Sequence, residues 1–131
     1  MFKFTGKRPQ HLGVNNGRLA PPSRKPNCVS SQADPADTQH YIAPLTFAGD
    51  ARAAMKRLHD IVGEMPRVEI VESRPDYFYA EFSTPLMGFV DDVECYCDGK
   101  AIQVRSASRL GYSDLGVNKA RVEALRKAFS S

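Results

Sequence analysis

The polar residues best suited to chemistry lie close together in the second half of the chain, between Phe89 and Arg121. The segments FVDDVE and RSASRLGYSDLGVNKAR contribute acids, arginines and small polar side chains. Arginine binds carboxylates and phosphates through paired hydrogen bonds, so this mixture suits a small anionic ligand. The candidate ligand-binding residues in these segments are Asp91, Asp92, Arg105, Ser106, Arg109, Tyr112, Asp114, Asn118 and Arg121.

Two interpretations of this cluster stay open. In the first, Arg105, Arg109 and Arg121 converge near the loop 111–116, where free N–H groups at the start of a helix also favour an anion. That loop lacks the Gly-Lys-Ser/Thr ending of a phosphate-binding P-loop. In the second, the same residues form a structural network that locks the last helix to a sheet. Arg109 or Arg121 then neutralises Asp91, because an unpaired buried carboxylate is costly.

A second set of candidates, Asn27, Cys28 and Ser30, lies in the segment PNCVSS near the start of the chain. A nucleophilic Cys28 would need His40 within hydrogen-bond reach and an orienting carboxylate such as Asp91. The structural alternative is a small buried thiol that anchors this segment.

Two adjacent acids raise the question of hydrolysis. Asp91 and Asp92 are consecutive in a predicted strand, so they point to opposite faces and cannot form an acid/base pair together. We therefore predict a non-catalytic binding or scaffolding role. The alternative is an enzyme of unknown class that uses Cys28 or the group Asp91, Asp92, Arg105 and Arg109. A purely structural interaction domain is the second alternative.

The cysteines and histidines do not indicate a metal site. Three cysteines are an odd number, which favours a reducing compartment over a disulfide framework. Cys95 and Cys97 are spaced C-x-C, and with three scattered histidines this does not match a zinc site. No metal or cofactor is predicted. The first residues lack the apolar core of a secretory signal, so a cytoplasmic location is expected.

Length and charge restrict the partners. The chain has 131 residues, which suits one domain, and a net charge of +3. Six of its 18 basic residues precede the first acid, Asp34, which leaves 12 basic against 15 acidic residues in the remainder. A basic arm on an acidic body, without interleaved aromatics, does not indicate nucleic-acid binding. No apolar run is long enough to span a membrane. A small anionic molecule or a protein remains the possible partner.

The elements that must position these residues are predicted by periodicity and turn chemistry. Residues 1–49 form a long loop or strap, and Asp50 then caps a helix whose apolar stripe includes Leu58 and Val62. Four strands follow as an antiparallel meander, and Asn118 caps a final helix. The prediction is an α+β fold: a four-stranded meander with a helix before it and a helix after it.

The last hairpin is predicted in most detail. Asp98-Gly99 favours a two-residue type I′ turn. That turn would pair Asp92 with Arg105 and Val93 with Val104, so that acid faces base and apolar faces apolar.

Several segments together resemble the domain of unknown function 1499 family (DUF1499). They are GRLAPPSRKPNCVSSQ, HYIAPL, DYFYAEFSTPLMGFVDDVE and VRSASRLGYSDLGVNKARVEALR. The similarity covers about residues 12–129, which implies a single domain there and an N-terminal tail over 1–11. Relatives often carry another cysteine before PNC, and this chain has none there. That departure from the family pattern argues against any role that needs a local thiol pair. The resemblance implies no specific activity.

Overall fold

Both helices of the protein pack against the same face of one antiparallel sheet. A computed structural model describes residues 5–85 and 88–130. The elements are β1 (Cys28–Ser30), α1 (Ala51–Gly63), β2 (Val68–Arg74), β3 (Tyr77–Ser83), β4 (Val90–Cys97), β5 (Ile102–Ser108) and α2 (Val117–Ser130). The predicted α+β class is confirmed.

The predicted four-stranded meander is one strand short. The sheet has five strands in the order β1-β5-β4-β3-β2, because the segment predicted as a strap adds β1 beside β5. Cys28 pairs with Ala107 and Ser30 with Arg105. Three residues are too few to show an alternation of polar and apolar side chains, so the sequence pattern did not predict β1.

Helix α1 forms as predicted. Asp50 accepts a hydrogen bond from the backbone N–H of Ala53 at 2.9 Å, which satisfies one free donor of the first turn. Leu58 and Val62 are fully buried against the sheet, where they meet Phe78 from β3.

The β4–β5 hairpin differs from the prediction by two residues in register. Cys95 pairs with Val104 and Glu94 with Arg105, so the predicted pairing of Asp92 with Arg105 is wrong. Gly99 and not Asp98 is the first central residue of the turn, with φ at 92°, and the Asp98 carboxylate accepts from two following N–H groups at 2.9 Å. A single positive φ at that position is typical of a type II′ turn. A shift of two keeps every side chain on its predicted face.

Helix α2 begins two residues earlier than predicted, at Val117 instead of Lys119, and Asn118 is not its cap. The Asp114 carboxylate caps this end instead: it accepts from Gly116 N at 2.8 Å and from Asn118 N at 3.3 Å. The Asn118 side chain turns inward, where it is fully buried.

The outer face of the sheet is covered by the N-terminal arm, residues 5–22. Leu19 is buried there with Tyr77 and Tyr79, and Leu12 and Val14 pack beside them. The predicted tail covers 1–11, of which residues 1–4 lie outside the described residues. Within the rest of it, Arg8 forms an ion pair with Glu81 at 2.8 Å. No helix in the described ranges is long and apolar enough to cross a membrane.

Candidate functional site

The sheet divides the candidate residues into two groups. Side chains alternate along a strand, so in β4 Asp91 faces the helices and Asp92 faces the N-terminal arm. Arg121 meets Asp91 on the helix side, whereas Arg109 binds Asp92 on the outer side. The expected convergence of three arginines on one ligand is therefore wrong, because the sheet lies between Arg121 and the other two.

On the helix side, the Asn118 side chain is the centre of a buried polar network. Its Oδ1 accepts from Ser106 Oγ at 2.6 Å and from Arg121 Nη1 at 2.9 Å. Its Nδ2 donates to the backbone oxygen of Asn27 at 3.1 Å and to Asp114 Oδ2 at 2.7 Å. These bonds join α2 to β5 and to the residue before β1, as the structural interpretation of the cluster predicted.

Asp91 completes this network. Its carboxylate forms a 2.8 Å ion pair with Arg121 Nη2, and both side chains are largely buried. The Arg121 guanidinium also stacks over the Phe82 ring at 5.0 Å. The charge of Asp91 is therefore compensated within the fold.

The start of α2 is not open to an external anion. Asp114 already places a carboxylate against the N–H groups of Gly116 and Asn118. That is the position at which the helix dipole would favour a ligand carboxylate or phosphate. The first interpretation of the 111–116 loop therefore fails on geometry.

On the outer side, Arg109 organises a second buried charge cluster. Its Nε and Nη2 donate to the two oxygens of Asp92 at 2.9 and 2.8 Å, and Nη2 also bonds Glu81 and the Tyr79 hydroxyl. The bond to Asp92 is the main cause that raises the pKa of Arg109. Burial opposes ionisation of Glu81, yet hydrogen bonds from Arg8, Arg109 and Tyr79 lower its pKa to about 2. The guanidinium is thus fixed as a cation in one orientation.

Glu94, also on the outer face, is fully buried beneath the arm. Its Oε2 accepts from the Tyr77 hydroxyl and from the backbone N–H of Gly13, each at 2.7 Å. Oε1 has no hydrogen-bond partner among the described residues. Glu94 therefore fastens the arm to the sheet.

A cleft of about 340 Å³ lies between the arm, β1 and the end of β5. We call it the outer cleft. Its charged lining is Lys7, Lys25, Asp92, Arg105 and Arg109, and its polar lining includes His11, Asn27, Cys28 and Ser108. Five residues predicted from sequence thus meet in one cavity. Lys7, His11 and Lys25 were missed, because basic residues in an irregular arm carry no periodic signal.

The Arg105 side chain is held in place by hydrogen bonds to the backbone of the N-terminal arm. Its Nε donates to the backbone oxygen of Ala20 at 3.0 Å, and its Nη2 donates to that of Pro21 at 3.2 Å. The Arg105 residue is only 4% exposed, so its position in the cleft wall is fixed by the fold.

The Cys28–His40 nucleophile is not assembled. The His40 ring lies between Asp37 Oδ2 at 2.7 Å and the backbone oxygen of Lys25 at 2.9 Å. Burial opposes the charge of this ring, but the bonds to Lys25 and Asp37 raise its pKa. The Cys28 thiol lies 3.8 Å from Ser23 Oγ. Asp91, the carboxylate suggested to orient the histidine, lies on the opposite face of the sheet, where it pairs with Arg121.

The remaining candidates lie outside the outer cleft. Ser30 is buried in β1, and its hydroxyl accepts from Gln32 N at 3.1 Å. Tyr112 is 69% exposed in the loop before α2. Among residues 5–85 and 88–130, no group of three or more His, Cys, Asp or Glu side chains could hold a metal ion.

Residues 18–129 match the family model described as Protein of unknown function (DUF1499). The chain belongs to this family. The DUF1499 match includes all five strands, α1 and all of α2 except its last residue. It also includes six residues of the outer cleft: Lys25, Asn27, Cys28, Asp92, Arg105 and Arg109. Lys7 and His11 precede the matched residues. No curated protein and no solved structure matches the chain.

Proposed function

We propose that this protein is a non-catalytic binding domain that takes a small anionic molecule in the outer cleft. The observation that supports the proposal is the composition of the lining: two lysines and two arginines line the cleft together with one carboxylate. That carboxylate, Asp92, is already bound by two nitrogens of Arg109. The cleft therefore has an excess of positive charge.

The cations divide into fixed and adjustable groups. Arg105 and Arg109 are anchored by hydrogen bonds that use only Nε and Nη2, and no bond joins either Nη1 to a described residue. Lys7 and Lys25 form no ion pair with a carboxylate in the described ranges. The fixed arginines orient a bound anion with little loss of side-chain entropy. The flexible lysines then move to contact the charge of that anion.

The size and chemistry of the cleft restrict the ligand. A volume of about 340 Å³ is at the lower end of the range for small-molecule sites. Guanidinium groups bind carboxylates and phosphates, and two of them, from Arg105 and Arg109, line the cleft. A compact molecule with two anionic groups fits this lining.

The test uses inorganic phosphate, pyrophosphate and succinate as probes of the purified chain. We expect at least one probe to raise the thermal midpoint and to shift amide NMR signals of Asn27 and Cys28. A ligand at 100 times its dissociation constant stabilises by about 2.7 kcal/mol. Lys25→Gln should weaken binding about tenfold.

Lys100→Gln is the matched control, because Lys100 lies in the β4–β5 turn at the other end of the sheet. Two results contradict the proposal. One is the absence of stabilisation by any of the three probes. The other is an equal loss of affinity in Lys25→Gln and Lys100→Gln.

A further inference from the structure

The buried imidazole of His40 contacts the segment that carries Lys25, one of the cations of the outer cleft. Its Nδ1 lies 2.7 Å from Asp37 Oδ2, and its Nε2 lies 2.9 Å from the backbone oxygen of Lys25. A carbonyl oxygen and an ionised carboxylate can only accept a hydrogen bond. Both ring nitrogens must therefore carry a proton in this arrangement, so His40 is an imidazolium cation.

The groups around the ring support this charge state. Among the described residues, Asp37 forms an ion pair with the ring, and the hydrogen bond from His40 lowers the pKa of that carboxyl in turn. The segment before β1 presents the Lys25 carbonyl, and β1 presents the neutral N–H of Ser30, which donates to the His40 oxygen at 2.7 Å. Burial opposes the charge of the ring, but the bonds to Lys25 and Asp37 raise its pKa.

Gln39 offers the ring a different hydrogen-bond partner. Its Nε2 lies 3.1 Å from Nε2 of His40. An amide nitrogen is a donor, so it can bond this ring nitrogen only when the nitrogen carries a lone pair. Gln39 and the Lys25 oxygen therefore require opposite protonation states of the same atom. The imidazolium bonds the Lys25 oxygen, whereas a neutral ring with its proton on Nδ1 bonds Gln39.

The bond from His40 attaches Lys25 to the body of the protein. Among the described residues, the other hydrogen bonds of the Lys25 backbone stay within two positions of it. Lys25 N donates to Ser23 Oγ at 3.3 Å, and its oxygen accepts from Asn27 N at 2.8 Å and from Ser23 Oγ at 3.4 Å. The position of Lys25 at the cleft therefore depends on a proton of His40.

The next two residues are held independently of His40. The Pro26 oxygen accepts from Asp114 N at 3.1 Å, and the Asn27 oxygen accepts from Ser108 N at 2.9 Å. Loss of the bond from His40 thus frees Lys25 while the cleft wall that follows it stays in place.

We propose that His40 is a pH-sensitive switch for the outer cleft: the imidazolium holds Lys25 in position, and the neutral ring bonds Gln39 and releases it. This inference rests on the proposed function, because it concerns the cleft in which we place the anion. Release removes one cation from its position, so anion binding should weaken as pH rises. Asp37 and Gln39 set the pH of the change, since Asp37 favours the charged ring and Gln39 the neutral one.

The first test is an NMR titration of the natural chain without ligand, between about pH 6 and pH 9. It follows the His40 ring together with the Asn27 amide, whose N–H bonds the same Lys25 oxygen. We expect both signals to change with one midpoint, above the ordinary histidine value of 6.5. A ring that is already neutral at about pH 6, or an Asn27 signal that does not follow His40, overturns the proposal.

Asp37→Asn removes the carboxylate that favours the imidazolium and keeps a side chain of similar size. It should lower the midpoint of His40 by about one pH unit, and the Asn27 midpoint should move with it. Asp34→Asn is the matched control, because the Asp34 carboxylate in the same loop bonds Ala36 N at 2.9 Å. It should leave the midpoint unchanged. A His40 midpoint that moves without that of Asn27 shows that the two are not coupled, which contradicts the switch.

The second test measures the affinity for succinate across the same pH range. It uses His11→Gln, which lacks the other histidine that lines the cleft. The carboxylates of succinate stay ionised throughout, so the charge of the probe is constant. We expect the dissociation constant to rise about tenfold through the His40 midpoint, as for the loss of one charged contact. Adding Lys25→Gln to this variant should abolish the rise.

The two tests separate this inference from the proposed function. Succinate binding that is independent of pH in His11→Gln overturns the switch and leaves the proposed function intact. Absence of binding by succinate, phosphate and pyrophosphate at every pH contradicts the proposed function instead. The titration without ligand then decides by itself whether a proton on His40 controls the position of Lys25.

Discussion

The neighbouring carboxylates of Asp91 and Asp92 lie on opposite faces of the sheet, and each binds its own arginine. Asp91 pairs with Arg121 under the helices, and Asp92 pairs with Arg109 beneath the N-terminal arm. One dipeptide thus contributes to two separate buried ion pairs. The helix-side pair belongs to a network that joins α2 to the sheet, whereas the outer pair borders the cleft in which we place the ligand.

The loss of Arg109 should strongly destabilise the fold. Arg109→Met leaves the carboxylates of Asp92 and Glu81 buried without their main cation. Removing one partner of a buried pair costs about 3–5 kcal/mol. Urea unfolding at neutral pH measures the change. As control, Arg74→Met removes an exposed pair with Glu72 and should cost under about 1 kcal/mol. Equal losses in the two variants would contradict this assignment.

Asn118→Ala should weaken the attachment of α2 to the sheet and lower the free energy of unfolding. The substitution leaves the buried Ser106 hydroxyl without its acceptor, and it removes one of the two hydrogen bonds to the Asn27 carbonyl. A buried group left unsatisfied costs about 1–3 kcal/mol, so we expect a loss of about that size. Hydrogen exchange of the α2 amides should accelerate. Lys119→Ala, at the next and exposed position, should change stability by under about 0.5 kcal/mol.

Acid should destabilise the fold through Glu81. Folding lowers the pKa of this carboxyl from 4.5 to about 2, because hydrogen bonds from Arg8, Arg109 and Tyr79 outweigh the effect of burial. A group with a lowered pKa stabilises the folded state above its unfolded value, and the contribution is lost as pH falls through the folded value. The free energy of unfolding should therefore decrease between about pH 4.5 and pH 2.

Urea unfolding at a series of pH values tests this dependence. Glu81→Gln should show a shallower decrease than the natural chain. Arg8→Ala removes one donor and should lie between the two. A pH dependence that is identical in all three chains argues against the assignment to Glu81.

The three thiols should be unreactive in the folded chain. Cys28, Cys95 and Cys97 are all buried and free, and burial raises the pKa of Cys95, with a further contribution from Glu94. Only the thiolate is nucleophilic, so iodoacetamide should label each site at the rate of unfolding. The chain in guanidinium chloride is the control and should react at all three sites. Rapid labelling of Cys28 in the folded chain would show that its side chain is reachable from the outer cleft.

Local patterns predicted most of the secondary structure. The stripe of α1, the four long strands and the opposite orientation of Asp91 and Asp92 all follow from periods of a few residues. The hairpin register was wrong because Asp98-Gly99 and Gly99-Lys100 both satisfy a two-residue turn. In the structure the central residues are Gly99 and Lys100. The Asp98 carboxylate accepts hydrogen bonds from the N–H groups of Lys100 and Ala101 in this turn.

The site depends on contacts that no local pattern contains. Cys28 meets Ala107 across β1 and β5, and Lys25 reaches the same cleft as Arg109 from 84 positions earlier in the chain. The tertiary structure also determined which arginine binds which acid, because Arg109 and Arg121 were equivalent candidates for Asp91 in the sequence. The chain by itself determines periodicity, turn residues and family, because these are local or compositional properties. Packing of the arm onto the sheet determines the cleft, because that arrangement depends on burial and charge pairing between residues far apart in sequence.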